Sequence, residues 1–213
     1  MEPNPDLEKR IFIQETITGG DILEDFSGRR LLGGILKSLR FHDGRCRYLR
    51  AQDTRLHDVS FDHVLCDAGS FQNCRWEKVH AENSLFTASH FSGCTLEKTM
   101  GKLSSFGLSV FSHCRLSESQ LSEVSFSGSQ WQDCRFERED YLFVRFPSSV
   151  FIDTQFAGCR LQKAIFRAAT FIRCSFEQCT LHETVFHKAR FIDTKWIDTD
   201  IRQAANLDEV RYD

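Results

Sequence analysis

The chain has 213 residues, 27 of them Lys or Arg and 30 Asp or Glu, for a formal net charge of -3. That length suffices for one ordinary domain with a substantial core. The charge selects no partner class, and no apolar run approaches the ~20 residues of a membrane helix. The opening residues, Met1-Glu2-Pro3-Asn4-Pro5-Asp6, are acidic and polar where a secretion signal would be basic and then apolar. A cytoplasmic protein without a membrane partner is expected.

Residues 1–25 carry no repeat. Ile11-Phe12-Ile13 predicts a short strand, and Thr18-Gly19-Gly20-Asp21 predicts a turn. The segment is expected to cap the N-terminal end of the repeat that begins at Phe26, because a stack of coils exposes apolar rungs and unpaired backbone at its ends.

From Phe26 to Ile201 every fifth residue is a centre. Of these 36 positions, 31 hold Phe, Leu, Trp, Tyr or Ile. The five exceptions, Cys46, Ala51, Cys66, Ala81 and Gly101, are all small. Two residues before each centre the side chain is usually small as well: Val, Ser, Thr, Ala or Cys. A helix would scatter a period of five around its surface, and a simple strand needs a period of two. One large and one small inward residue in five leaves three positions for solvent. That is a corner-turning unit, and four such units close a square coil of twenty residues.

Phe71-Gln-Asn-Cys74-Arg-Trp76 returns as Phe91-Ser-Gly-Cys94-Thr-Leu96, as Phe111-Ser-His-Cys114-Arg-Leu116 and as Trp131-Gln-Asp-Cys134-Arg-Phe136. Phe151, Phe171 with Cys174, and Phe191 continue the series. Residues twenty apart should stack into ladders that form the core.

This pattern resembles the pentapeptide-repeat family, whose consensus is roughly Ala-(Asp/Asn)-Leu-x-x. Ala189-Arg190-Phe191, Ser119-Gln120-Leu121 and Ser129-Gln130-Trp131 stand near it. Phe and Cys replace the usual Leu and Ala in many units. The resemblance implies an all-β fold, a right-handed quadrilateral β-helix of about nine coils over residues 26–203. Nine coils at ~4.8 Å each make a rod of roughly 43 Å. Residues 204–213 are expected to form a short C-terminal cap, with Ala205-Asn206-Leu207 resembling one more unit shifted by one residue.

All nine cysteines fall in inward slots, where Cys serves as a small apolar residue. Zinc-type Cys-x-x-Cys pairs are absent, so free thiols and no metal are expected. The eight His are outward and are not arranged with carboxylates or Cys as ligands. No nucleophile elbow, phosphate loop or zinc-binding helix motif occurs, so neither an enzyme nor a cofactor is expected.

Glu139 is the one breach of the small inward slot within the established repeat. An isolated carboxylate there would cost several kcal/mol. The expectation is a local bulge that swings Glu139 to solvent; the alternative is a site at that distortion. Nearby, Leu142 and Phe143 occupy outward slots, as do Met100 and Leu103 two coils below. Together they are expected to make an exposed patch of the kind that marks a partner surface, unless a loop or cap covers them. Ile152, Ile172 and Ile192 form an outward column with Val150 close by. It reads as a homodimer seam, a partner groove, or β-branched residues that favour the strand.

Arg55, Arg75, Arg115 and Arg135 share one outward column and Glu77, Glu97, Glu137 and Glu177 the next, a mutually compensating surface. Between Arg29 and Arg55 lie eight basic residues against only Asp43 and Asp53, so the N-terminal end of the rod is basic. It would suit an acidic protein or nucleic acid. Direct nucleic-acid binding is not expected, because the aromatics are inside.

The residues favour a non-enzymatic interaction scaffold with a protein partner. The alternative comes from the resemblance: some pentapeptide-repeat proteins imitate duplex DNA and protect type II topoisomerases such as DNA gyrase from quinolones or toxins. The Phe-x-x-Cys units resemble those of quinolone-resistance members. The mixed charge and the lack of a sizeable insertion place that reading second.

Overall fold

The computed structural model describes residues 11–13, 16–22 and 25–213. The chain winds through short parallel strands, most of three residues, into a coil with four faces. One face is an eleven-stranded parallel sheet that includes Ser70–Gln72, His90–Ser92 and Val110–Ser112. Two further faces form a sixteen-stranded sheet, joined where Ile35–His42 crosses a corner. Single parallel bridges such as Leu65 to Leu85 and Ser125 to Arg145 make the fourth. Inside the repeat the register is twenty residues throughout, for example Phe71 to Phe91 and Phe91 to Phe111. This is the right-handed quadrilateral β-helix that the resemblance implied.

The corner explains the five-residue unit. From Ser38 to Asp198 the second residue after each centre is left-handed, with φ of 48–60° for the non-glycine residues. That conformation costs an L-residue on the order of 1 kcal/mol. Asp, Asn and Gly tolerate it best and occur often here, as at Asp53, Asn73, Gly93 and Asp133.

Phe71, Phe91, Phe111, Trp131, Phe151, Phe171 and Phe191 are each 2 % exposed or less. Their rings stack along the axis, with centroids 4.8 Å apart for Phe71 and Phe91 and 4.7 Å for Phe91 and Phe111. A second ladder from Phe86 to Phe186 meets the first edge-on, as Phe126 does at 5.3 Å from Trp131. The core is therefore a stack of rings in both parallel and T-shaped contact, the arrangements aromatic quadrupoles favour.

The small slot is more than a filler. Ser84 Oγ donates to the carbonyls of Phe61 (3.1 Å) and Glu82 (2.9 Å). Cys74 Sγ lies 3.3 Å from both the Ala51 and Gln72 carbonyls, and Cys94, Cys114, Cys134 and Cys174 repeat the contact. A small donor at this point serves a buried carbonyl on the coil below, which favours Ser, Thr and Cys over Ala. All nine thiols are free and buried. Burial pushes the Cys174 thiol up to about 11. A thiol-specific chromogenic reagent should therefore react with the native protein at least tenfold more slowly than with the denatured chain. Rapid native labelling would show that the coils open far more than this packing allows.

The ends extend the same ladders. Ile11–Ile13 is a strand, parallel to Arg30–Leu32. Thr18–Asp21 is not the reversing turn expected. It lies within strand Thr16–Ile22, which follows Ile35–His42 in parallel and bends at Gly19 (φ +69°) and Gly20 (φ +111°) beside the Ser38 corner. At the other end a 3-10 turn at Ile201–Gln203 shifts the register to 21 residues, pairing Val185 with Asn206 and Phe191 with Tyr212. The remaining parts of the N-terminal segment fall outside the described residues. Among the described residues no helix is long and apolar enough to cross a membrane.

Candidate functional site

Glu139 does not bulge. Arg135–Glu137 and Asp140–Leu142 keep their register with the coils above and below. Glu139 is held inside at 1 % exposure. Continuous ladders on both sides leave no slack for an extra residue, so the side chain has no route out. Oε1 accepts from the Ser119 N–H at 3.3 Å, and Oε2 has no partner. The Tyr141 hydroxyl beside it is buried and also unpartnered. Burial pushes the Glu139 carboxyl up to about 8, against the opposing pull of the Ser119 N–H. It is a neutral acid at pH 7 and cannot touch a docked partner, which removes it from the expected contact surface.

The apolar residues around it are exposed: Met100, Leu103, Leu142 and Phe143, at 39–49 %. They do not form one continuous patch. Met100 is in register with Gln120, and Leu142 with Ser122. Glu123 stands between Leu103 and Phe143 in the corner column, and the Lys163 ammonium lies 5.1 Å from the Phe143 ring centre. What they frame is a groove of about 490 Å³ that runs from His80 and Glu82 past Met100 and Lys102 to Leu142 and Gln162.

The core centres that line the groove are Ala81, Gly101 and Leu121, the first two of them small. A Cβ at Gly101 would stand 2.7 Å from Leu121 Cδ2 and 3.1 Å from Val124 Cγ2, so Leu121 would have to shift to admit an alanine. The repeat shows these small centres and the outward Met100 and Leu103 that flank Gly101, but not the groove between them and Leu142.

Leu103 (φ 51°) and Phe143 (φ 55°) occupy left-handed corner positions. A bulky apolar residue gains nothing there that Asn or Gly would not provide at lower strain. Two more corner residues escaped the reading of the sequence: Leu108, 70 % exposed with φ 58°, and Tyr48, 63 % exposed with φ 57°. The signal was present, since both fall two residues after a centre. Leu108 partly covers Gly128, whose Cβ position is 3.0 Å from Leu108 Cδ2.

Ile152, Ile172 and Ile192 stack in register but are only half-buried to solvent, each shielding the next. The charged columns compensate as expected. Arg75 meets Glu97 at 2.9 Å and Glu77 at 3.6 Å, and Arg115 and Arg135 converge on Glu137. Several histidines pair with carboxylates. Asp62 lies 3.0 Å from His42 and 2.8 Å from His63, and His57 reaches Glu77 at 3.4 Å. Among the described residues no three His, Cys, Asp or Glu are grouped to hold a metal ion.

A family model described as the SV2A/B/C luminal domain matches residues 145–211. No curated protein matches the chain. Among solved structures, the full-length QnrB1, a plasmid-mediated fluoroquinolone resistance protein, is similar with a TM-score of 0.52 at 14 % identity, over 84 % of this chain and 94 % of that one. A pentapeptide repeat protein, Rfr23, from the cyanobacterium Cyanothece 51142 aligns at 14 % identity and a TM-score of 0.48, over 58 % of this chain and 91 % of its own.

Proposed function

We propose that this chain, which has the fold of the pentapeptide-repeat proteins, is a rigid interaction scaffold that holds a protein partner at the groove between Met100 and Leu142. The observation that carries the reading is the pair of bulky residues, Leu103 and Phe143, kept exposed at strained corners beside that groove. Protein–protein contacts concentrate their energy in a few apolar or aromatic anchors. The stacked core gives those anchors a fixed spacing of two coils, so a partner meets a preformed surface.

The Leu103→Asn, Phe143→Asn double variant separates contact from folding. Asn suits the left-handed corner, so the variant is expected to melt at the same temperature as the parent or a few degrees higher, equivalent to about 1 kcal/mol. Cross-linked partner recovered from cells should fall at least tenfold. Equal recovery with the parent would reject the corner as the contact surface. Ile172→Asp is the companion variant; unchanged oligomeric state and binding would remove the Ile152, Ile172 and Ile192 ladder from any assembly role.

The likeness of fold to QnrB1 favours a second reading, a DNA-mimic that binds and protects DNA gyrase. The alternating Arg and Glu columns stand against it, since a duplex presents one sign of charge. A supercoiling assay with a fluoroquinolone decides between them. Rescue of supercoiling by the full chain would put gyrase first, and no effect would leave the scaffold reading.

A further inference from the structure

The N-terminal end of the rod carries a second surface, apart from the groove. The structure sorts its basic residues. Arg40 meets Asp21 at 2.6 Å, Arg47 reaches Asp67 at 3.6 Å, and the buried Arg29 guanidinium lies 4.1 Å from the Phe26 ring centre. Arg30 and Arg50 have no ion pair among the described residues. They are direct cross-strand neighbours, so two like charges stand opposite each other on adjacent strands, an arrangement that costs stability unless an anion relieves it. Arg45 also makes no ion pair among the described residues, although it helps Ser27 hold the Asp25 carboxyl low.

Tyr48 stands on the corner between these arginines. Arg45 and Arg47 lie on the face before it and Arg30 and Arg50 on the face after it. Its corner neighbours are Gly28 on the coil below and Ala68 on the coil above, so no side chain of size covers the ring. The space a Gly28 Cβ would take is empty to 4 Å. Its φ of 57° is one that Asn or Gly would hold at lower cost. The expectation against nucleic acid rested on the aromatics being inside, and this one is outside.

We propose that the Tyr48 corner binds single-stranded nucleic acid. A base stacks on the open ring while Arg30, Arg45 and Arg50 take the neighbouring phosphates. Single strands are held by this pairing of a π platform with flanking positive charge. An acidic polypeptide would use the arginines, but it has no need of an exposed ring on a strained corner. That difference decides between the two classes of partner.

The test is fluorescence anisotropy of a labelled oligothymidine with the full chain, repeated across a salt series. Binding is expected at low salt and should weaken as salt rises. Arg30→Ala with Arg50→Ala should flatten the log–log salt slope by about 1.4, at ~0.7 per phosphate contact on a single strand. Tyr48→Asn, which suits the corner, should weaken binding by about 5- to 100-fold with the slope unchanged, and Tyr48→Trp should restore it. Melting curves that match the parent show that each variant is folded. No binding at low salt overturns the proposal. So does a Tyr48→Asn variant that binds like the parent, which would show that the ring is not used, or poly-glutamate that displaces the oligonucleotide at equal charge, which would assign the corner to acidic protein.

Discussion

Phe126→Asp is expected to melt the middle of the rod as a unit. Phe126 is 3 % exposed and its ring contacts four others: Phe106 at 5.2 Å and Phe146 at 4.9 Å in stacked geometry, and Phe111 at 6.0 Å and Trp131 at 5.3 Å edge-on. Truncating such a ring costs about 3–5 kcal/mol through lost burial and the cavity left behind. An aspartate adds an unpaired buried carboxyl, at several kcal/mol more. That total is comparable with the whole stability of an ordinary domain. Because each coil is held only by its neighbours, the damage should spread along the axis. Hydrogen exchange should show lost protection from about residue 100 to residue 150. Loss confined to residues 124–128 would mean the coils are more independent than the ring stack implies.

Glu139→Gln is expected to stabilise the protein at neutral pH and to flatten its pH dependence. The folded carboxyl sits at about 8, above its ordinary value of 4.5. The folded state therefore keeps a proton that the unfolded chain releases between those two values. Stability is full below about pH 4.5, falls as pH rises, and reaches its lowest level above pH 8. The drop across that range is about 5 kcal/mol, of which about 3 kcal/mol has been lost by pH 7. Glutamine stays neutral and keeps an acceptor for the Ser119 N–H, so the variant should gain most of that amount at pH 7 and nothing at pH 4. Urea midpoints measured for both proteins from pH 4 to 9 check it. Parallel curves would show that Glu139 is not the titrating group.

These two residues also show how far the sequence can be read. Phe126 was legible because the repeat makes its environment periodic: the same contacts recur every twenty residues, and position alone names the neighbours. Glu139 was legible as a breach, but its direction was not. A lone carboxyl in an apolar slot has two outcomes, a bulge or a neutral buried acid. The choice depends on how firmly the ladders on each side hold the backbone. The corner residues follow the same logic. Leu103, Phe143 and Tyr48 are visible in the repeat as outward positions, yet the left-handed backbone that makes them costly is a property of the closed coil.

The sequence by itself determined the coil, the faces and the core, because a five-residue period in unbroken register admits no helix and no plain strand. It also placed Met100, Leu103, Leu142 and Phe143 on the outside. What surrounds those positions is set by the closed coil. Ala81, Gly101 and Leu121 line a groove on one face, Glu139 stays in because its neighbours are pinned, and Tyr48 stands bare because Gly28 and Ala68 flank it. Periodicity specifies which side of the wall a residue occupies. Depth, cover and charge balance are set by side chains twenty residues away, which become neighbours only when the coil closes.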